Sequence, residues 1–385
     1  MRTSLFLFLA LAVGVNAATI ELDVGDSYQD SIDAHPGNTT FKILAGVHRG
    51  FQVTPKSGNT FVGEDGAVLD GSVILDSWSE EGQYWVHDGL TYEPSQHGSC
   101  RSEFPGCNYR HALYMNGEFV HRDTILDDVT EGRWYLDPDL DKGYLADDPT
   151  GDTVEIAVNT WAIGGNGTIN NVTIRNLVMT KYATAAQDGA VRSRESSSGW
   201  VIEECEISYN HGGGISLVGN EHIVRSNDIH HNGQLGFGTC CDTNLVFEKN
   251  EIAFNNALGF NSGWEAGGTK FVKTHNAKIY SNWAHHNFQS PGLWSDIENG
   301  QIEYMGNLSE YNGTMGIFHE IGGTGEIYCN ISRFNGIGWS GWAYGANILI
   351  SHSSDVEIHR NVVEISAEGD LAWDPEPWGG HGINV

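Results

Sequence analysis

The sequence predicts an all-β fold, a right-handed parallel β-helix carrying a hairpin-rich β insertion, and three observations predict it. A short alternating strand leading to an asparagine, with a second asparagine five residues on, recurs through the C-terminal half: HIVRSNDIHHN, NLVFEKNEIAFN, NAKIYSNWAHHN, GQIEYMGNLSEYN and GEIYCNISRFN. The second asparagines, Asn210, Asn232, Asn255, Asn287, Asn312 and Asn335, stand 22, 23, 32, 25 and 23 residues apart, the spacing of solenoid turns with one insertion. After each comes a glycine and another short strand, as in GISLV, GFGTC, GLWSDI and GIFHEI. Such a coil has no apolar face of its own until a neighbour stacks on it.

The asparagines read as structure. Asparagine tolerates left-handed backbone, and its amide can bond the asparagine of the next coil. The first set, Asn227, Asn250, Asn282, Asn307, Asn330 and Asn361, is expected to form one ladder and the second set another. His231 and His286 precede a ladder asparagine where other coils have Tyr209, Phe254, Tyr311 and Phe334, so they read as stacked turn residues rather than ligands. Of the sequons at Asn38, Asn166, Asn171, Asn307, Asn312 and Asn330, the last three are ladder positions whose structural use should prevent glycosylation.

The remaining segments follow from that frame. Residues 1–17 carry one basic residue, an apolar run from Leu5 to Val15 and the small-residue motif Val15-Asn16-Ala17, which fits a secretory signal peptide. Residues 18–81 read as first coils, with the amphipathic stretch Tyr28 to Ala34 capping the open end against strand pairing. Residues 82–157 change pattern to aromatic-rich hairpins, YRHALYMNGEFVHR, GRWYLDPDL and KGYLADDP, and read as a β-rich subdomain. Residues 158–385 return to the helix and end at WGGHGINV, where another glycine-led strand should begin, so the chain is expected to continue in a longer protein or to be covered there by another element.

With 50 acidic against 20 basic residues, the net charge is −30. Nucleic acid and anionic membrane both require clustered Lys and Arg, so this balance argues against either; a neutral substrate is not repelled. No later apolar stretch is long enough for a membrane span. The oligomeric state is open. Secretion permits disulfides, and Cys100 and Cys107 bracket a loop that one bridge closes; Cys205, Cys240, Cys241 and Cys329 do not reveal a pairing. The adjacent Cys240-Cys241 does not supply the spaced pairs of a zinc site.

Counting from each glycine identifies the candidate chemistry. Side chains alternate along a strand, so Trp294 and Asp296 in GLWSDI share a face with Phe318 and Glu320 in GIFHEI, while Leu293, Ser295, Ile297, Ile317, His319 and Ile321 take the other and point into the core. Adjacent rungs lie about 4.8 Å apart, which sets the Asp296 and Glu320 carboxyls roughly 5 Å from each other. Retaining glycosidases use a pair about 5 to 5.5 Å apart, one protonated and one ionised, and two like charges this close push one pKa up. Trp294 and Phe318 would offer an apolar wall to a sugar, Lys270 would hold Asp296 ionised or bond a hydroxyl, and Trp264 and Glu265 would approach the same edge. Trp339, Trp342 and Tyr344 would form a rim. No metal or cofactor is required; a calcium ion between Asp296 and Glu320 is the alternative use of the pair.

GLWSDI followed one coil later by GIFHEI and preceded by GWEAGGTKF resembles the β-helical glycoside hydrolases of family 120, specifically from about Gly263 to Asn330. The resemblance implies a pectate-lyase-like solenoid and retaining β-xylosidase activity, with Asp296 as nucleophile and Glu320 as acid/base. The stretch from Trp134 to Ala157 is also similar to the β-sandwich insertion of such proteins. Two rival readings differ in class: a polysaccharide lyase with Lys270 as base, and a non-catalytic glycan-binding or adhesion solenoid using the exposed aromatics.

Overall fold

The computed structural model describes residues 19–92, 95–337, 339, 345–365 and 383–384. The expected signal peptide, Trp342 and Tyr344 lie outside these residues. Three long parallel sheets run the length of the helix: an 11-stranded sheet starting at Thr19–Leu22, a 10-stranded sheet starting at Gly46–Arg49, and a 10-stranded sheet containing Leu293–Asp296 and Ile317–Glu320. They are called here the first, second and third sheets.

Every coil contributes inward apolar residues that stack in columns. On the first sheet Ile174, Ile202, Val224, Phe247, Ile279, Tyr304 and Ile327 succeed one another in register. All seven are buried in one continuous core. The helix Tyr28–Ala34 covers the N-terminal end as expected, with Tyr28 and Ile32 buried in that core. This closes off strand edges that would otherwise template pairing.

The ladders form as the repeat predicts. Asn232 donates its backbone N–H and its Nδ2 to Asn255 Oδ1 at 3.1 and 3.0 Å, and Asn255 does the same to Asn287 at 3.1 Å. Each Nδ2 also bonds a carbonyl of its own side of the core, as Asn255 does with Ile229 at 3.0 Å. The ladder of the first set runs unbroken from Asn227 to Asn361. Asn307, Asn312 and Asn330 are each 1% exposed, so their sequons are closed to any glycosylating enzyme once folded. Outside the ladder the turn residues Tyr209, His231, Phe254, His286, Tyr311 and Phe334 stack ring on ring 4.9 to 5.2 Å apart, each with φ between 51° and 55°.

The glycines that lead the third-sheet strands, Gly214, Gly236, Gly268, Gly292 and Gly316, are demanded by close approach. A Cβ on Gly292 would lie 2.6 Å from Asn312 Nδ2 and 2.9 Å from the Gly316 carbonyl, so the ladder and the next coil leave it no room.

The insertion is an eight-stranded sheet, antiparallel except for one pair, with its own core around Leu113, Trp134, Leu136 and Ile156. Its edge lies earlier than the expected start at residue 82. Ser72–Ile74 reads as coil sequence but pairs antiparallel with Val154–Ala157, leaving Val73 and Ile74 exposed. The solenoid closes over the gap, because Thr60–Gly63 pairs directly with Thr173–Arg175. Cys100 and Cys107 are bridged, and Cys205, Cys240, Cys241 and Cys329 are unpaired. Among the described residues no helix is long and apolar enough to cross a membrane.

Candidate active site

The third sheet brings the two acids together. Ser295 pairs with His319, so Asp296 and Glu320, next along their strands, stand on neighbouring rungs. Phe271 pairs with Ser295, which sets Lys270 beside Trp294 one rung earlier. Leu293 and Ile317 belong to the central core, while Trp294 and Phe318 form a separate cluster with Met315, Ala346 and Leu349 on the outside of the sheet.

This face is outward but not open: Asp296 and Lys270 are each 6% exposed, and Glu320 is half-buried. Two large aromatics on consecutive rungs must be covered, and their cluster supplies that cover. Trp294 stacks on Phe318 with centroids 5.5 Å apart and planes 11° from parallel, and Lys270 Nζ lies 4.0 Å over the indole. Both rings therefore pack against protein in this arrangement, instead of presenting the wall expected for a sugar. The Trp294 ring serves Lys270.

Lys270 organises the carboxylates. Its Nζ lies 3.0 Å from Asp296 Oδ2 and 3.2 Å from Glu265 Oε2. Asp296 Oδ1 is buried without a hydrogen-bond partner, while the Trp294 indole N–H is directed at Glu320. Burial of a polar atom without a partner is costly, so this oxygen marks where a ligand's group is wanted. Glu320 holds its proton above the ordinary value of 4.5, first because burial penalises the charge and second because Asp296 repels it; Trp294, Lys270 and His352 act in the opposite direction.

Behind the acids, Ser295 Oγ meets His319 Nδ1 at 2.7 Å and His319 Nε2 meets the Gly323 carbonyl at 3.1 Å. A carbonyl only accepts, so Nε2 carries the hydrogen and Nδ1 accepts from the serine. Burial depresses the pKa of this imidazole, making it a neutral brace within the core, as its parity predicts. Ile297 and Ile321 depart from the same parity: they are 37% and 48% exposed. Left-handed backbone at both, φ 58° and 45°, ends the alternation immediately after each acid.

Trp264 and Glu265 separate. Glu265 joins the site, whereas Trp264 packs beneath the disulfide loop, edge-on to His97 at 5.5 Å and against Gly98, where an added Cβ would meet its ring at 2.7 Å. That loop also bridges to Phe260 through Cys100. A chain of contacts runs from it to the acids: His97 Nε2 to Gln187 Oε1 at 3.0 Å, Gln187 Nε2 to Glu265 Oε2 at 3.0 Å, then Lys270 and Asp296. His97 and Gln187 are distant in sequence and carry no local signal. Asp188, Arg192 and Arg194, upstream on the same sheet, were reachable by extending the glycine count to Gly189, since Arg192 pairs with Ser216.

Among the described residues one group of three has ligand atoms close enough for a metal ion: Glu326, Glu357 and His359, with His359 Nε2 2.9 Å from Glu326 Oε1. It lies on the first sheet, apart from Asp296 and Glu320.

Comparison with known proteins agrees on architecture. The family model for the right handed beta helix region matches residues 189–363. No curated protein sequence matches the chain. A solved structure described as the complex of XylC with xylose is similar at 19% identity and a TM-score of 0.66, covering 87% of this chain and 67% of that one. Another, described as a glycoside hydrolase, is similar at 10% identity and a TM-score of 0.54, covering 90% of this chain and 96% of that one. At these identities the likeness establishes the β-helix fold.

Proposed function

We propose that this chain is a secreted, carbohydrate-active enzyme, a retaining glycoside hydrolase in which Asp296 is the nucleophile and Glu320 the general acid/base. The observation that carries the reading is the unequal environment of two carboxyls on adjacent rungs. Asp296 has one oxygen bonded to Lys270 and the other buried and unpartnered, while burial and the Asp296 charge raise the pKa of Glu320. Glu320 then protonates the leaving oxygen as Asp296 Oδ1 attacks the anomeric carbon, and it deprotonates the water that cleaves the glycosyl ester. The xylose in one similar structure and the resemblance to family 120 make a β-xyloside the first substrate to try. Secretion rests on the apolar run and small-residue motif within residues 1–17.

The stereochemical course tests this. Proton NMR of an aryl β-xyloside or β-glucoside digest should show the β-hemiacetal forming first; initial α-product would overturn the assignment.

The pH dependence follows from Glu320. It must be protonated to act as an acid, and its pKa is raised, so kcat/KM should persist above 4.5 and fall on the alkaline side as Glu320 ionises. The Lys270 charge favours the ionised form of Glu320, so Lys270→Met should move that alkaline limb upward. Turnover should drop by roughly 10-fold to 100-fold with the loss of a charge-assisted bond to the nucleophile. A pH–rate profile in which the limb moves downward would contradict the arrangement.

A further inference from the structure

Upstream of Lys270 the outer face of the third sheet is hollow. Arg192, Ser216, Gly238 and Lys270 follow one another on consecutive rungs. Long side chains at Arg192 and Lys270 bracket two rungs that carry almost none. The result is a groove of about 490 Å³, floored by Val218, Cys240 and Val272 and running from Asp188 and Arg194 to Glu265 and Lys270.

Three strand spacings separate the Arg192 and Lys270 rungs, about 14 Å, or about two to three linked pyranose rings. The floor is largely apolar and the polar groups stand at the ends, which matches a pyranose with its C–H faces and hydroxyl rim. Charge is balanced across the groove. Asp188 pairs with both Arg192 and Arg194 at 2.5 Å, and Lys270 pairs with Glu265 and Asp296. Two cations, Arg194 and Lys270, and two carboxylates, Asp188 and Glu265, thus line the groove in a chain whose net charge is −30.

We infer that this groove binds the sugar units of an uncharged linear oligosaccharide extending away from Asp296, and that Gly238 is the residue that keeps it open. The link to Asp296 rests on the glycosidase reading; binding in the groove does not. Lys270 ends the groove and holds Asp296 Oδ2, so a hydroxyl bonded to its ammonium registers the chain against the nucleophile.

Gly238 offers a direct test, because an added Cβ there would meet only Leu235 Cδ1, at an ordinary 3.8 Å, and its φ is not left-handed. Calorimetric titration of Glu320→Gln with xylo-, cello- and manno-oligosaccharides of one to four units should show, for one series, affinity rising on the order of tenfold between one and three units and then levelling. Gly238→Trp in the same background should abolish the rise. Arg194→Ala, at the far end, should weaken the trisaccharide about threefold and leave the monosaccharide unchanged, which guards against misfolding of the tryptophan variant. Affinity independent of chain length in all three series, or a rise that survives Gly238→Trp, would overturn the inference. Length-dependent binding without any hydrolysis by wild type would sink the glycosidase reading and leave the groove standing. Hydrolysis with flat binding would do the reverse.

Discussion

Asp296→Ala is expected to lower hydrolysis of aryl glycosides by about 10⁴-fold or more, since it removes the atom that forms the covalent intermediate. Glu320→Ala should cost about 10²- to 10⁴-fold, the contribution of a positioned acid, and least with leaving groups such as dinitrophenolate that need no proton. The two variants should differ again when azide is added. In Asp296→Ala the anion occupies the vacated space beside Lys270 and attacks directly, giving the α-glycosyl azide. In Glu320→Ala it replaces the water that has lost its base and gives the β-glycosyl azide. Rescue in neither variant would remove the pair from the mechanism. A calcium site built from the same acids would instead lose activity on chelation and ignore azide. A lyase with Lys270 as base would release an unsaturated, ultraviolet-absorbing product.

The second large effect is on stability. Asn255→Ala removes four hydrogen bonds at once: two from Asn232 to Asn255 Oδ1, and two from Asn255 Nδ2 to the Ile229 carbonyl and to Asn287. The groups left behind are buried, with Asn232, Asn255 and Asn287 each at most 1% exposed, so desolvated donors and acceptors go unpaired. Each such group costs about 1 to 3 kcal/mol, and the sum should reach about 3 kcal/mol or more. Asn255→Asp keeps an acceptor for Asn232 but cannot donate to Ile229 or Asn287, and it buries a carboxyl. It should rescue little. Denaturant unfolding of both variants checks the ladder, and a loss below about 1 kcal/mol for alanine would show that the coils are held mainly by their apolar columns.

The contrast between ladder and active site explains what was legible beforehand. A solenoid repeats one local rule, so Asn210 to Asn335, the stacked rings at His231 and His286, and the neighbouring rungs of Asp296 and Glu320 all followed from counting. The count failed where backbone left the strand, at Ile297 and Ile321, because alternation holds only for extended residues. It also failed at Ser72–Ile74, whose apolar sequence suits a coil equally well but whose partner, Val154–Ala157, lies far along the chain.

Sequence alone therefore determined the coil, its register and which two carboxyls are neighbours, since these depend on residues about one turn apart. Tertiary structure decided everything that depends on what lies over the coil. It enclosed Trp294 and Phe318 in their own cluster, turned Trp264 under the disulfide loop, and brought His97 and Gln187 to Glu265. It also left a groove where Ser216 and Gly238 are small. Burial and the pairing of charges arise from side chains that meet across the fold, and no local period encodes them.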